Sequence, residues 1–331
     1  MPFDKHESHR AMVTYIVRRI LWGIALLILV SAITFVFFNV FQSADPAQLR
    51  AGRNACPAII HFIRHELGLD KSLPVQFFVY MKNIFLHFNF GFSFYTGASV
   101  LSLISDRLPA TLSLAVGAAV IWLLMGIPVG IISAIKRGSL LDRAAMGVAL
   151  VFVSMPVFWL GLVVLFLFAN DIGRFHLLPG ANTYTGLTAD PVHWFTSLIM
   201  PWFVLAATSA AVYSRVLRGS LLEAMGEDYI RTARAKGLRE RRVIFRHGVR
   251  SAITPVVTIF GLDLGALLGG AVITETVFNI PGIGRLNYDA IIHSDFPIVQ
   301  GTVILAALFI VVANIVVDIA YAYLDPRVRY S

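Results

Sequence analysis

The sequence predicts an all-α polytopic membrane protein with six transmembrane helices, and three observations carry that prediction. Only 14% of its 331 residues are charged while 57% are hydrophobic. A soluble domain carries roughly 25% charged residues, so the deficit places the chain in a bilayer. Six apolar runs approach or exceed the about 20 residues that a helix needs to cross the hydrocarbon, at approximately 20–41, 111–135, 144–169, 195–214, 252–274 and 299–321. Finally, Lys and Arg gather at the ends of these runs, where membrane proteins put them. That placement argues against nucleic acid as the partner of the net charge of +8. Helix is the conformation lipid permits, because hydrocarbon offers unpaired backbone groups no partner. The short alternating strands of a membrane barrel are not in evidence.

Taken in order, residues 1–19 form an N-terminal tail, whose polar leader Met1 to Arg10 is expected to be unordered. Arg18 and Arg19 then open the run 20–41. It is longer than the roughly 7–15 apolar residues of a signal peptide and lacks a small-x-small cleavage site, so it reads as an uncleaved first span. Residues 42–107 are too long and too mixed for a plain connection. Within them 58–67 and 75–87 have helical apolar spacing, separated by Gly68 and Pro74. His61 and His65 stand one turn apart, but no Cys or acid lies at ligand spacing, so they fit a solvated helix face better than a metal site. The one cysteine, Cys56, excludes an intrachain disulfide.

The remaining five runs form a core over 108–323. The second contains Gly126, Pro128 and Gly130, the third Pro156, the fourth Pro201 and the fifth Pro255. Each proline frees a carbonyl and is expected to kink its helix. In the fifth run Gly261, Gly265 and Gly269 make two overlapping GxxxG steps, a ridge on which another backbone can approach closely, and thus a candidate contact with a sister subunit. Asp263 lies in the same run, where an acid costs about 2.5–3.5 kcal/mol on insertion scales and must face protein or water. It either lines a pathway or makes a packing hydrogen bond, and the sequence leaves both open. Glu275 precedes a tight outer loop whose turns are set by Pro281, Gly282 and Gly284. Asp318 is interfacial, and 324–331 is a short C-terminal tail.

Orientation follows from the basic residues. With both termini in the cytoplasm, nineteen of the 27 Lys and Arg fall on the inner side, and six of the other eight lie in 42–107, a segment too long for its charge to count.

The chain shows no energy source of its own. There is no phosphate-binding GxxxxGK[ST], no HExxH and no nucleophile elbow. Asp263 is the single deep ionisable residue, which disfavours a proton-driven carrier and leaves an intramembrane enzyme without a reactive pair. The informative segment is instead 215–250, which holds ten of the 27 basic residues and four of the 19 acids between two oily runs. Its stretch from Glu223 to Gly237 is expected to be mostly helical, ending at Gly237. Tyr229, Ile230, Ala233 and Leu238 offer a small apolar patch rimmed by Arg231, Arg234, Lys236, Arg239, Arg241 and Arg242. Such a helix suits a groove on an acidic partner, and equally an ordinary basic cytoplasmic loop.

The residues Asp228, Tyr229, Ile230, Arg231, Thr232, Ala233, Arg234, Ala235, Lys236, Gly237 and Leu238 resemble the EAA loop of binding-protein-dependent ABC importer permeases. The likeness is to the dipeptide/oligopeptide/nickel class. Arg231, Thr232 and Ala233 align with the EAA triplet and Gly237 with the motif's glycine, while the later Ile-x-Leu-Pro is not reproduced near His247 to Arg250. Leu108 to Leu112, Ser154 to Phe158, Thr274 to Gly284 and Leu324 to Arg329 extend the resemblance, which looks like the B-type subunit of the permease pair. It implies a type I importer permease (MetI-like) fold in the inner membrane of a prokaryote, importing di- or oligopeptides, or a nickel chelate, glutathione or another small solute. It also implies a non-catalytic chain without a cofactor, a homologous second permease, two cytoplasmic ATPases that bind the ATP and Mg, and an extracytoplasmic substrate-binding protein. By resemblance, Asp228 to Leu238 would be the coupling helix seated in one ATPase.

Overall fold

The computed structural model describes residues 5–40, 45–52 and 55–324. Beyond Leu324 the predicted C-terminal tail lies outside them, and so do residues 1–4. Helices account for almost all of it, and among the described residues there is no β-strand, only two isolated bridges. Four helices are long and apolar enough to cross a membrane, and two bent pairs raise the number to six.

The first helix, α1 (Lys5–Phe35), runs into a π-helical turn (Val36–Val40). The part of the leader from Lys5 to Arg10, expected to be unordered, is helical here, and Met1 to Asp4 lie outside the described residues. Apolar length marks where a helix meets lipid, not where it starts. Between the first two crossings lie α2 (Pro46–Ala51), α3 (Pro57–Glu66) and α4 (Leu73–His87), the last two over the stretches read as helical. The second crossing, α5 (Val100–Ile135), begins eight residues before the predicted core boundary at 108 and accommodates Pro109 and Pro128 without a break.

The third run is not one kinked helix. It divides into α6 (Leu140–Ser154) and α7 (Val157–Phe168), bent by 104° at an extended Pro156. The fourth crossing, α8 (Pro191–Gly226), is followed after one residue by α9 (Asp228–Ala235). The chain then climbs through α10 (Glu240–Arg242), a π-helical turn (Val243–Val249) and α11 (Arg250–Ala252) into α12 (Thr254–Leu268), with a 47° bend. The fifth run was expected to continue to 274. It stops at Leu268 because Gly270 adopts φ +118, a conformation that breaks the helix. The short α13 (Val272–Phe278) and α14 (Ile283–Ile292) follow, and α15 (Phe296–Leu324) closes the fold.

Side-chain register fixes the direction of each crossing. Gly117 lies against Trp202, Gly126 against Ala210 and Gly130 against Ser214, so α5 and α8 run parallel. Two parallel crossings need a return between them, and the bent pair of α6 and α7 supplies it. A Cβ on Gly126 or Gly130 would stand 3.0 or 2.8 Å from a carbonyl oxygen of α8, so this pair of glycines permits backbone contact. Gly261, Gly265 and Gly269 meet Val317, Ala313 and Ala306, making α12 and α15 antiparallel. Along α1 and α15, Arg19 pairs with Asp318 at 2.7 Å, Gly23 meets Val311, and Gln300 donates to Asn39 at 3.2 Å, again antiparallel. With each bent pair taken as one crossing, the described helices make up to six.

The main core lies between α5, α8 and α12, where Trp122 and Tyr213 are fully buried with ring centres 5.7 Å apart. On the opposite side from α9, Asp295 ties the outer segment to the start of α15. It accepts from the Ser93 hydroxyl and from the backbone N–H of Phe94 and Tyr95.

Candidate functional site

Residues 223–238 place a short amphipathic helix at the end of a long one. Glu227, extended at φ −70 and ψ 152, ends α8 and caps α9. The far end of α9 is closed by Gly237 at φ +73, with its N–H on the Arg234 carbonyl (2.9 Å) and the Leu238 N–H on that of Ala233 (3.4 Å). A left-handed residue after a helix favours glycine, so the predicted terminus is where the chain turns.

The faces of α9 differ from the expectation. Ile230 and Ala233 are buried against Val243, with Met225 and Leu238 packed beside them. This apolar patch seats the helix on its own chain and is not offered to a partner. Asp228, Tyr229, Arg231, Thr232, Arg234, Ala235, Lys236 and Gly237 are exposed, while Leu238 is half-buried. Arg231 pairs with Asp228 at 3.3 Å, and Arg234 grips Glu240 with two bonds of 2.7 and 3.1 Å. The hydrogen-bonded Arg234 guanidinium holds the Glu240 carboxyl below its ordinary value. Beside α9 lies a concavity of about 770 Å³ lined by Gly237, Leu238, Arg239, Arg241, Arg242, Phe245 and Arg246. Among the described residues those four arginines make no ion pair, so the surface is an unneutralised positive field around a seated helix.

About two turns before the end of α8, Arg218 donates to both carboxylate oxygens of Asp142 at 2.8 and 2.9 Å. Asp142 is buried and also accepts from the Ser133 hydroxyl and the Gly138 N–H. This bidentate bridge joins α5, α6 and α8 just before α9. Sequence reasoning missed it, although Ser139 followed by Asp142 carries the Ser-x-x-acid signature of a helix start, and the Ser139 hydroxyl does accept from the Asp142 N–H.

The glycine ridge of α12 is spent inside the chain. A Cβ on Gly265 would stand 2.9 Å from the Ala313 methyl and 3.1 Å from the Ile310 Cα, so the ridge meets α15 and not a sister subunit. Asp263, two residues from either neighbouring glycine and thus about 200° around the helix, points the other way. Its Oδ2 accepts from the Tyr213 hydroxyl at 2.9 Å, and it lines a groove of about 530 Å³ between α6, α8 and α12. The hydrogen-bond reading is thus seen in the Tyr213 contact, beside a groove that Asp263 also lines. Tyr213 gave no signal in the sequence, because its bond to Asp263 spans 50 positions.

Glu275 is not in a loop. It sits fully buried in α13, where it accepts from the Thr111 hydroxyl (2.9 Å) and the Arg285 N–H (2.9 Å). Thr111 in turn accepts from the Ile283 N–H at 2.8 Å. Pro281, Gly282 and Gly284 do form the turn that wraps this carboxylate, and a Cβ on Gly282 would collide with it at 2.3 Å. Among the described residues no group of three or more acids, His and Cys could hold a metal.

Two family models match the chain. Residues 126–330 match the binding-protein-dependent transport system inner membrane component, and residues 12–115 match the N-terminal part of such a component. The "Probable peptide ABC transporter permease protein y4tP" of Sinorhizobium fredii is 39% identical over 319 residues, covering 96% of this chain and all of that one. The "Dipeptide transport system permease protein DppB" of Escherichia coli K12 is 38% identical over 340 residues, covering 97% and 100%. Among solved structures, an inward-facing MetNI methionine ABC transporter aligns with TM-score 0.53 at 18% identity, over 68% of this chain and 97% of that chain. That last likeness is one of fold.

Proposed function

The chain belongs to the family of binding-protein-dependent transport system inner membrane components, and on that footing we propose that it imports short peptides as one of two permease subunits. In this reading a homologous permease completes the pathway, two cytoplasmic ATPases supply the work, and an extracytoplasmic binding protein delivers the peptide. The names borne by the relatives support the peptide class. Both termini, α9 and its arginine-lined concavity face the cytoplasm, where the positive-inside rule puts short basic segments.

The observation that carries the reading is the division of labour on α9. Its apolar face is consumed by Val243 and Met225, so its placement relative to α8 is fixed before any partner arrives. Its polar face is left open for a complementary, acid-rimmed groove on an ATPase. A force applied there enters α8 directly and reaches α6 through Arg218 and Asp142.

The test is purification of the assembled complex in mild detergent, followed by uptake and ATPase assays in proteoliposomes. Ala235→Trp adds bulk to the exposed face alone, and is expected to weaken ATPase retention about tenfold, or about 1.4 kcal/mol, with insertion unchanged. Wild-type ATPase retention and uptake by Ala235→Trp would refute the docking role. Recovery of the chain without any ATPase would refute the transporter reading itself.

A further inference from the structure

We propose that Asp263, with Thr208 and Ser209, forms a station in the transport path that takes the protonated amino group of the passing peptide. The inference rests on the peptide-import reading and concerns a site within the membrane.

Placement comes first. The α12 helix gives its glycine face to α15, which leaves the face bearing Asp263 turned toward α8 and the groove. The groove is lined by Val153 at the end of α6, by Thr208, Ser209 and Val212 of α8, and by Ile259, Asp263, Ala266 and Leu267 of α12, and it reaches Gly270. Just beyond Val153, α6 and α7 bend by 104°. The groove runs from Asp263 toward the outer end of the crossing, where Gly270 meets Gly284.

Charge comes second. The lining holds one acid and no Lys, Arg or His, so any counter-charge for Asp263 must come from outside this set of residues. A carboxylate among Val153, Val212, Ile259 and Leu267 attracts a cation strongly, since low-dielectric walls concentrate its field. One carboxylate oxygen is fixed by the Tyr213 hydroxyl at 2.9 Å, and Tyr213 is itself locked against Trp122. The group is thus aimed before a ligand arrives.

Chemistry comes third. A primary ammonium offers three N–H donors. Asp263 can accept one, and the Thr208 and Ser209 oxygens on the facing wall can accept others. The ammonium is the feature shared by short peptides whatever their side chains. A site that reads it alone, between otherwise apolar walls, suits a path that must pass many sequences and hold none.

The experiment uses the complete complex in proteoliposomes, with exposed Cys56 replaced by Ser and Ser209→Cys as the reporter. Labelling is read as mass added to this chain. The cationic aminoethyl methanethiosulfonate is expected to react about tenfold faster than the anionic sulfonatoethyl reagent, the lower end of electrostatic focusing in a charged cleft. Asp263→Asn should abolish that preference. Millimolar dialanine should slow the labelling, N-acetyl-dialanine should not, and the difference should vanish in Asp263→Asn. Equal reactivity toward both reagents, protection by both peptides alike, or an unreactive Ser209→Cys would overturn the proposal. Loss of the second permease from the Asp263→Asn complex would overturn it too, assigning the carboxylate to subunit pairing. Failure of the unmutated complex to import any peptide would instead refute the function from which the inference starts.

Discussion

Replacing Glu275 by Ala should loosen α13 and α14 from Thr111 of α5. The carboxylate is fully buried and accepts from the Thr111 hydroxyl and the Arg285 N–H, each at 2.9 Å. Removing it strands the buried Thr111 hydroxyl, at about 1–3 kcal/mol, and the part-buried Arg285 N–H, at about 1 kcal/mol, so Glu275→Ala should cost about 2–4 kcal/mol. Some relief comes from the turn at Gly282 and Gly284, which can settle into the vacated volume. Glu275→Gln keeps the shape and one acceptor, and should cost about half as much, because its amide presents a donor to a donor. Thr111→Val removes the same hydroxyl from both Glu275 and the Ile283 N–H. The two sites share a bond, so Glu275→Ala and Thr111→Val should couple by about 0.5–3 kcal/mol in a double-mutant cycle. Reversible denaturation in detergent measures each value, and hydrogen exchange across α13 and α14 locates the opening. A Glu275→Ala protein as stable as wild type, or strict additivity with Thr111→Val, would refute the network.

Two further predictions follow from packing and charge. Gly265→Leu drives a side chain into Ala313 and Ile310 of α15. It should cost about 1–3 kcal/mol by overpacking, read as a lower melting temperature, with Ala313→Gly restoring part of the loss. Asp142→Asn weakens the grip of Arg218 on the turn between α5 and α6. In membranes oriented to expose it, trypsin should then cleave faster after Lys136 and Arg137, and the exchange pair Asp142→Arg with Arg218→Asp should slow cleavage again. An unchanged rate in Asp142→Asn would show that the bridge does not hold the turn.

Fold class was legible because a bilayer simplifies the code: apolar length gives crossings. Gly237 could be read as a helix end because a left-handed turn needs a residue type visible in one letter. What the sequence withheld were facts of direction and partner. Ile230 and Ala233 look the same whether they face a neighbouring protein or Val243. The ridge of Gly261, Gly265 and Gly269 announces a close approach but not by what, and it is α15. Gly126 and Gly130, read as part of a proline kink, turn out to be where α5 and α8 touch. The sharp bend at Pro156 was underestimated because a proline inside an apolar run fixes a break and leaves its angle to tertiary packing. Asp142, Asp295 and Tyr213 went unnoticed, since each earns its place through a residue far away in the chain.

Only Glu227 separates α8 from α9, and that makes the fourth crossing a lever. A helix of 36 residues is about 54 Å long at 1.5 Å per residue. Its tightest seam with α5, at Ala210 and Ser214, falls near the middle. About 24 Å of rod lies between Ala210 and the inner end at Gly226, and about 29 Å between Ala210 and the outer end at Pro191. With its fulcrum there, a push of about 3 Å on α9 swings the far end about 3.6 Å in the opposite sense, a ratio set by rigid-rod geometry and the helical rise. The far end carries Trp194, set edge to face at 5.4 Å on Trp202 of the seam with α5, so motion imposed at one end of the crossing is delivered to an aromatic ring near the other.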